Sequence, residues 1–130
     1  MIVIVDDEVT IADTLRTITM QRGYASLAVY DGLSALELIR VVPPDLLLTD
    51  FGLPQMSGLE LAIQVAETCP ACKIILFSGL VSAGDLESMC RTLHPEFVVL
   101  EKPLHPDLLL ARIADLLQSS PAASGDGLGK

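Results

Sequence analysis

The sequence predicts one α/β domain, five βα units folded as an open, doubly wound parallel sheet. Three observations lead there. Short apolar runs without polar alternation, IVIV, LLL, IILF and FVVL, have the character of strands covered on both faces. Between them, apolar residues recur at helical spacing. Strands and helices alternate along the chain, so right-handed crossovers place helices on both sides of the sheet.

The elements follow in order. Residues 2–5 form the first strand, and Ile11, Leu15 and Ile18 are the buried stripe of the first helix. The second strand is expected at 25–30, followed by a helix that Ser34 and Glu37 open with the spacing of a capping box. The third strand, 45–49, runs up to Asp50. Ser57 and Glu60 open the third helix, whose stripe is Leu59, Ala62, Ile63 and Ala66. The fourth strand, 73–78, ends in Ser78. Ser82 and Asp85 have capping spacing ahead of Leu86, Met89, Cys90 and Leu93. The fifth strand is expected at 97–100, and Pro106 suits the first turn of a helix carrying Leu109, Ile113 and Leu116. The domain is therefore expected over residues 1–118, with 119–130, rich in Ser, Gly and Ala, as a flexible tail or truncated linker.

Composition narrows the function. With 51% hydrophobic and 19% charged residues the chain folds rather than remaining disordered. No apolar run approaches the roughly 18 residues of a membrane span, and no basic region or small-residue cleavage site precedes the first strand. A cytoplasmic protein without membrane attachment is expected. A net charge of −9 argues against direct nucleic acid binding and favours metal ions or basic surfaces. Cys69 and Cys72 in CPAC offer half a metal site or a redox pair; without a second such motif or a nearby His, the plain reading is two reduced thiols, one in a loop and one half-buried. His94 and His105 read as surface or helix-start residues.

Ligands of open α/β sheets bind outside the carboxyl ends of the strands. There the sequence places Asp6 and Asp7, Asp50, Ser78 and, just past the fifth strand, Lys102. Two carboxylates about 4 Å apart repel by roughly 4 kcal/mol near a protein surface, so three need a cation. An oxygen-only, partly open site suits Mg²⁺, with Asp7 and Asp50 in direct contact and Asp6 contacting it directly or through water. Beside such a cation, Asp50 stays ionised and can attack phosphorus to form an acyl phosphate. Lys102 would neutralise the phosphoryl oxygens and Ser78 would hydrogen-bond the new group, while Gly79 leaves its approach uncrowded.

Over residues 1–118 these motifs together resemble the receiver domain of two-component response regulators, the CheY-like superfamily. VDDE resembles the family's acidic pair. TDFGLPQMSGLEL resembles the phosphoacceptor segment, with Pro54 and Gly58 four and eight residues after Asp50. FSG resembles the hydroxyl segment, and EKP the lysine-proline pair, with Lys102 fifty-two residues beyond Asp50. The resemblance implies a flavodoxin-like sheet with strand order 2-1-3-4-5. It implies phosphorylation of Asp50 by a sensor histidine kinase or a histidine phosphotransfer protein, and Mg²⁺ held by Asp6, Asp7, Asp50 and the Gly52 carbonyl. Ser78 and Lys102 would contact the phosphoryl group, and Pro54, Gly58 and a cis Lys102-Pro103 bond would shape the site.

The implied role is a signalling module rather than a turnover enzyme, with only self-phosphorylation and slow autodephosphorylation. It would switch a downstream protein partner or output domain through the surface of the fourth helix, fifth strand and fifth helix. One position departs from the family: three residues before Lys102, where an aromatic switch residue is usual, stands Val99. Phe97 lies two residues earlier, on the same strand face by alternation. Two residues after Asp50 and Ser78 stand Gly52 and Leu80, which offer no side-chain hydrogen bond to an attacking water. Two other readings compete, a phosphorylation-independent adaptor and a Mg²⁺-dependent phosphohydrolase with an Asp nucleophile. The hydrolase lacks a second acid where Gly52 stands.

Overall fold

The structure, a computed structural model, describes residues 1–79 and 83–118. Its elements alternate throughout: β1 (Ile2–Val5), α1 (Val9–Gln21), β2 (Ser26–Val29), α2 (Gly32–Val41), β3 (Leu46–Asp50), α3 (Gly58–Thr68), β4 (Lys73–Ser78), α4 (Ala83–Leu93), β5 (Val98–Glu101) and α5 (Pro106–Gln118). All strand pairs are parallel, in the order β2-β1-β3-β4-β5. The expected fold class and strand order are both present.

Period-two alternation divides the core into two layers. Val3, Val5, Leu47, Ile74 and Leu76 pack against α2, α3 and α4, which contribute Leu36, Leu61 and Leu86. Ile2, Ile4, Leu46, Leu48, Ile75 and Phe77 face the other way, onto Leu15 of α1 and Leu109 and Ile113 of α5. Both faces of β1 and β3 are buried at every position, which is why those strands carry no polar alternation.

The strand limits differ from the sequence expectation by at most one residue at each end. Asp50 belongs to β3, paired with Phe77, and the Phe51 N–H continues the ladder to the Phe77 carbonyl at 2.8 Å. Phe97 precedes β5 because its N–H donates to the His94 carbonyl at 3.1 Å, closing a turn instead of a ladder.

One helix start requires correction. Ser34 does not cap α2; Asp31 does, accepting the Ser34 N–H at 2.7 Å and the Ser34 hydroxyl at 2.8 Å. A carboxylate at this position also meets the positive end of the helix dipole, so the helix starts earlier than the Ser-Glu spacing suggests. The Ser34 N–H and hydroxyl hold the Asp31 carboxyl below its ordinary range. The capping box of α3 is as expected, with Ser57 and Glu60 each bonding the other's backbone N–H at 3.1 Å. Pro106 opens α5. The Ser82 cap and the 119–130 tail lie outside the described residues. Among the described residues no helix is long and apolar enough to cross a membrane.

Candidate functional site

Strand ends build the site. Asp6 follows β1, its N–H continuing the ladder to the Val29 carbonyl at 3.1 Å, and its side chain is fully buried. The turn into α1 brings the Glu8 N–H onto Asp6 Oδ1 at 2.9 Å. Asp6 Oδ2 is buried and accepts no hydrogen bond, and its closest cation is Lys102 Nζ at 3.5 Å. Asp7, the next residue of the turn, is exposed and brings a carboxylate oxygen to the same cluster.

Asp50 closes β3 with its side chain almost wholly buried; Oδ1 receives the Gly52 N–H at 3.3 Å and Oδ2 faces Lys102 Nζ at 3.3 Å. Both contacts are long, so lone pairs on each oxygen stay open to the cleft. Lys102 is positioned by its backbone, whose N–H donates to the Ser78 carbonyl at 2.8 Å, joining the ends of β4 and β5. Ser78 is buried at the end of β4. The Lys102-Pro103 bond is cis, as the resemblance implies.

One carboxylate oxygen from each of Asp6, Asp7 and Asp50 lies within 4.8 Å of the others. Burial pushes the Asp6 carboxyl above its ordinary range; the Glu8 N–H and Lys102 oppose that, while Asp50 and Asp7 add to it. Three carboxylates against one ammonium leave an excess of two negative charges. A divalent cation matches that excess, and the unpartnered Asp6 Oδ2 gives it a buried oxygen ligand. The donor set therefore fits Mg²⁺. The cleft above it measures about 370 Å³ and is lined by Asp7, Asp50, Gly52, Ser78, Gly79 and Lys102.

The sequence-predicted residues Asp6, Asp7, Asp50, Gly52, Ser78 and Lys102 thus converge on one sheet edge. Phe97 and Val99 do not line the cleft; they pack into the layer against α3 and α4, Phe97 buried and Val99 partly so, on one face as alternation required. Gly58 acts from behind: a Cβ there would lie 1.8 Å from the Asp50 carbonyl oxygen, so only glycine lets α3 start against the end of β3. Pro54 accepts the Met56 N–H at 2.7 Å within the intervening loop.

Two contributors escaped the sequence reading. Glu8 also lines the cleft. The Phe77 ring lies beneath Lys102, 5.1 Å from Nζ to centroid, a cation–π contact that supports the ammonium from the apolar layer. Strand alternation in IILFS put Phe77 opposite Leu76, but the approach of Lys102 is a tertiary fact. Gly79 makes room for the stem of that lysine, since a Cβ would sit 3.1 Å from Lys102 Cδ. His94 stacks on Phe97 with ring centroids 4.6 Å apart, and His105 accepts the Leu109 N–H at the start of α5. Cys69, Cys72 and Cys90 are all free thiols.

Curated relatives include the transcriptional regulatory protein CreB of Escherichia coli, 32% identical over 115 residues, covering 88% of this chain and 49% of CreB. Response regulator MprA of Mycobacterium ulcerans is 30% identical, covering 90% of this chain and 50% of its own. The DNA-binding response regulator MtrA of Mycobacterium tuberculosis is 27% identical, covering 86% and 48%. The chain spans about half the length of these relatives. Among solved structures, a CheY-like receiver domain protein from Methanospirillum hungatei superposes with a TM-score of 0.82 at 30% identity, covering 92% of this chain and 94% of that one. The receiver domain of NtrX from Brucella abortus gives 0.80 at 28%, covering 92% and 100%. The family model of the response regulator receiver domain matches residues 2–114, the span that carries every residue of the acidic cleft, and the chain belongs to that family.

Proposed function

We propose that this receiver domain is a phosphorylation-controlled switch in which Asp50 accepts a phosphoryl group from a sensor histidine kinase or histidine phosphotransfer protein. The observation that carries this reading is the placement of Asp50 with two further acids and a single lysine in one open cleft. A carboxylate oxygen of Asp50 attacks phosphorus, the bond to the donor's imidazole nitrogen breaks, and the electron pair leaves with the imidazole, which takes up a proton. Lys102 swings from its carboxylate partners to the phosphoryl oxygens, and the Ser78 hydroxyl hydrogen-bonds the new group. Bound by Asp6, Asp7, Asp50 and the Gly52 carbonyl, Mg²⁺ supplies positive charge against the phosphoryl oxygens.

A hollow of about 550 Å³ adjoins the cleft, lined by Ile11, Leu15, Ile18, Pro103, Leu104 and Pro106. An apolar element of the proposed donor protein would fit beside Lys102 there. Movement of the Ser78 segment would then be read through Phe97 and Val99 at the α4-β5-α5 surface. The output belongs to a downstream protein or a further domain; with a net charge of −9, direct DNA contact by this domain is disfavoured. Gly52 carries no side chain to act as a second acid, which favours a switch over a phosphohydrolase.

Intact mass after incubation with acetyl phosphate tests the reading. A gain of one phosphate that needs Mg²⁺, is blocked by EDTA and is lost in Asp50→Asn supports it. No gain under any of these conditions favours the phosphorylation-independent adaptor.

A further inference from the structure

The CPAC motif lies at the corner between α3 and β4, away from the acidic cleft. The Cys69 N–H ends α3 on the Val65 carbonyl at 2.7 Å, and the Cys72 N–H returns to the Cys69 carbonyl at 3.0 Å. Pro70 and Ala71 occupy the two central positions of this turn. Proline is favoured at the first of them, where its fixed φ suits the turn, and it keeps the preceding residue out of the helical region, as Cys69 is at φ −136 and ψ 76. The first and last Cα atoms of such a turn lie less than about 7 Å apart, and disulfides bridge Cα atoms about 4.4–6.8 Å apart. The turn therefore presets the backbone separation that a disulfide needs.

The side chains agree with the backbone. Cys72 belongs to the apolar layer beneath α3, and Cys69 packs against the same layer. Burial pushes the Cys72 thiol up to about 12, and the nearby Cys69 adds to that rise.

We infer that Cys69 and Cys72 form a reversible disulfide in the folded domain, a modification site separate from the cleft. The oxidant is a low-molecular-weight disulfide. Cys69, half-buried where Cys72 is only 7% exposed, reacts first: its thiolate attacks one sulfur of the oxidant, the S–S bond of the oxidant breaks, and the other sulfur leaves as a thiolate that takes up a proton. Cys72 gives up its proton and attacks the Cys69 sulfur, releasing the second thiol. Two protein thiols are oxidised and one small disulfide is reduced to two thiols. The pair lies after α3 and before β4, not at a helix start where C-x-x-C pairs of oxidoreductases gain their reactivity, so it acts as a clip at one corner rather than as a catalyst.

The test is intact mass and thiol counting on the whole folded chain after exposure to oxidised glutathione, followed by peptide mapping. The expected result is a mass lower by two hydrogens, a fall from three free thiols to one, a mapped Cys69–Cys72 bridge, and reversal by dithiothreitol. Cys72→Ser is expected to stop at a glutathione adduct on Cys69. Three persisting thiols in the folded wild type, or a bridge that engages Cys90, would overturn the inference without reliance on any variant.

Discussion

Gly58→Ala is the sharpest test of how the site is built. The new Cβ would lie 1.8 Å from the Asp50 carbonyl oxygen, 2.7 Å from its carbon and 2.9 Å from Phe51 Cα. Ordinary contact needs about 3.5 Å, so the start of α3 must retreat by about 1.7 Å, and every atom in the way is backbone. That retreat breaks the 2.8 Å hydrogen bond from the Gly58 N–H to the Phe51 carbonyl, a net loss of about 1 kcal/mol. It also disturbs the adjoining Ser57–Glu60 box, about 1 kcal/mol more. Residual strain of overpacking adds about 1–3 kcal/mol. The total, about 3–5 kcal/mol, is a large share of a domain's stability. At about 4 °C per kcal/mol for a chain of this size, the melting temperature falls by 12 °C or more. Circular dichroism melts measure this, with acetyl phosphate labelling as a second reading, because the displaced atoms are those of Asp50 itself. Gly23→Ala is the control: it stands at φ +93 with nothing within 4 Å, and costs only about 1–2 kcal/mol of backbone strain. A Gly58→Ala protein that melts within about 2 °C of wild type would refute the reasoning.

Other outcomes follow from the electrostatics. Burial raises the Asp6 carboxyl, so the native state holds its proton more tightly than the unfolded chain; stability is greatest below the ordinary carboxylate range and declines as pH rises through the native value. In EDTA, Asp6→Asn therefore melts above wild type near pH 7, and the gap closes near pH 3, where both side chains are neutral; a variant less stable at neutral pH contradicts this. Lys102→Ala leaves the buried Asp6 without its closest cation and lowers stability by about 2 kcal/mol in EDTA, and Mg²⁺ then raises the melting temperature more than in wild type. Equal Mg²⁺ shifts in the two proteins would show that Lys102 does not neutralise the acids. Because Gly52 cannot position a water, the phosphorylated form should decay over minutes or longer, measured by intact mass after removal of the donor; decay within seconds argues against it.

Much of this was legible in the sequence, for a physical reason. Strands buried on both faces need continuous apolar runs, so IVIV and IILF announce themselves, and the residues at their carboxyl ends share one edge whatever the details. Asp6, Asp50, Ser78 and Lys102 could be grouped on that basis. Contacts made across elements could not. Which acids Lys102 pairs with, the Phe77 ring beneath it and the near collision behind Gly58 depend on crossover geometry that no spacing encodes. The α2 start was misjudged because Ser34 and Glu37 satisfy a local pattern, whereas Asp31 competes for the same backbone N–H with a full charge.

Lys102 stands 3.3 Å from Asp50 and 3.5 Å from Asp6, one ammonium divided between two acids. It cannot follow a phosphoryl group without deserting Asp6, whose second oxygen has no hydrogen bond to fall back on. A divalent ion that takes over Asp6 frees the lysine, so ion and phosphoryl group assist each other's arrival. Such assistance is reciprocal by thermodynamic necessity: whatever factor the ion adds to the stability of the phosphorylated state, phosphorylation returns as tighter retention of the ion. On the proposed phosphorylation of Asp50, the domain would then respond to its ionic surroundings as well as to its phosphodonor, with a single shared lysine as the means of the coupling.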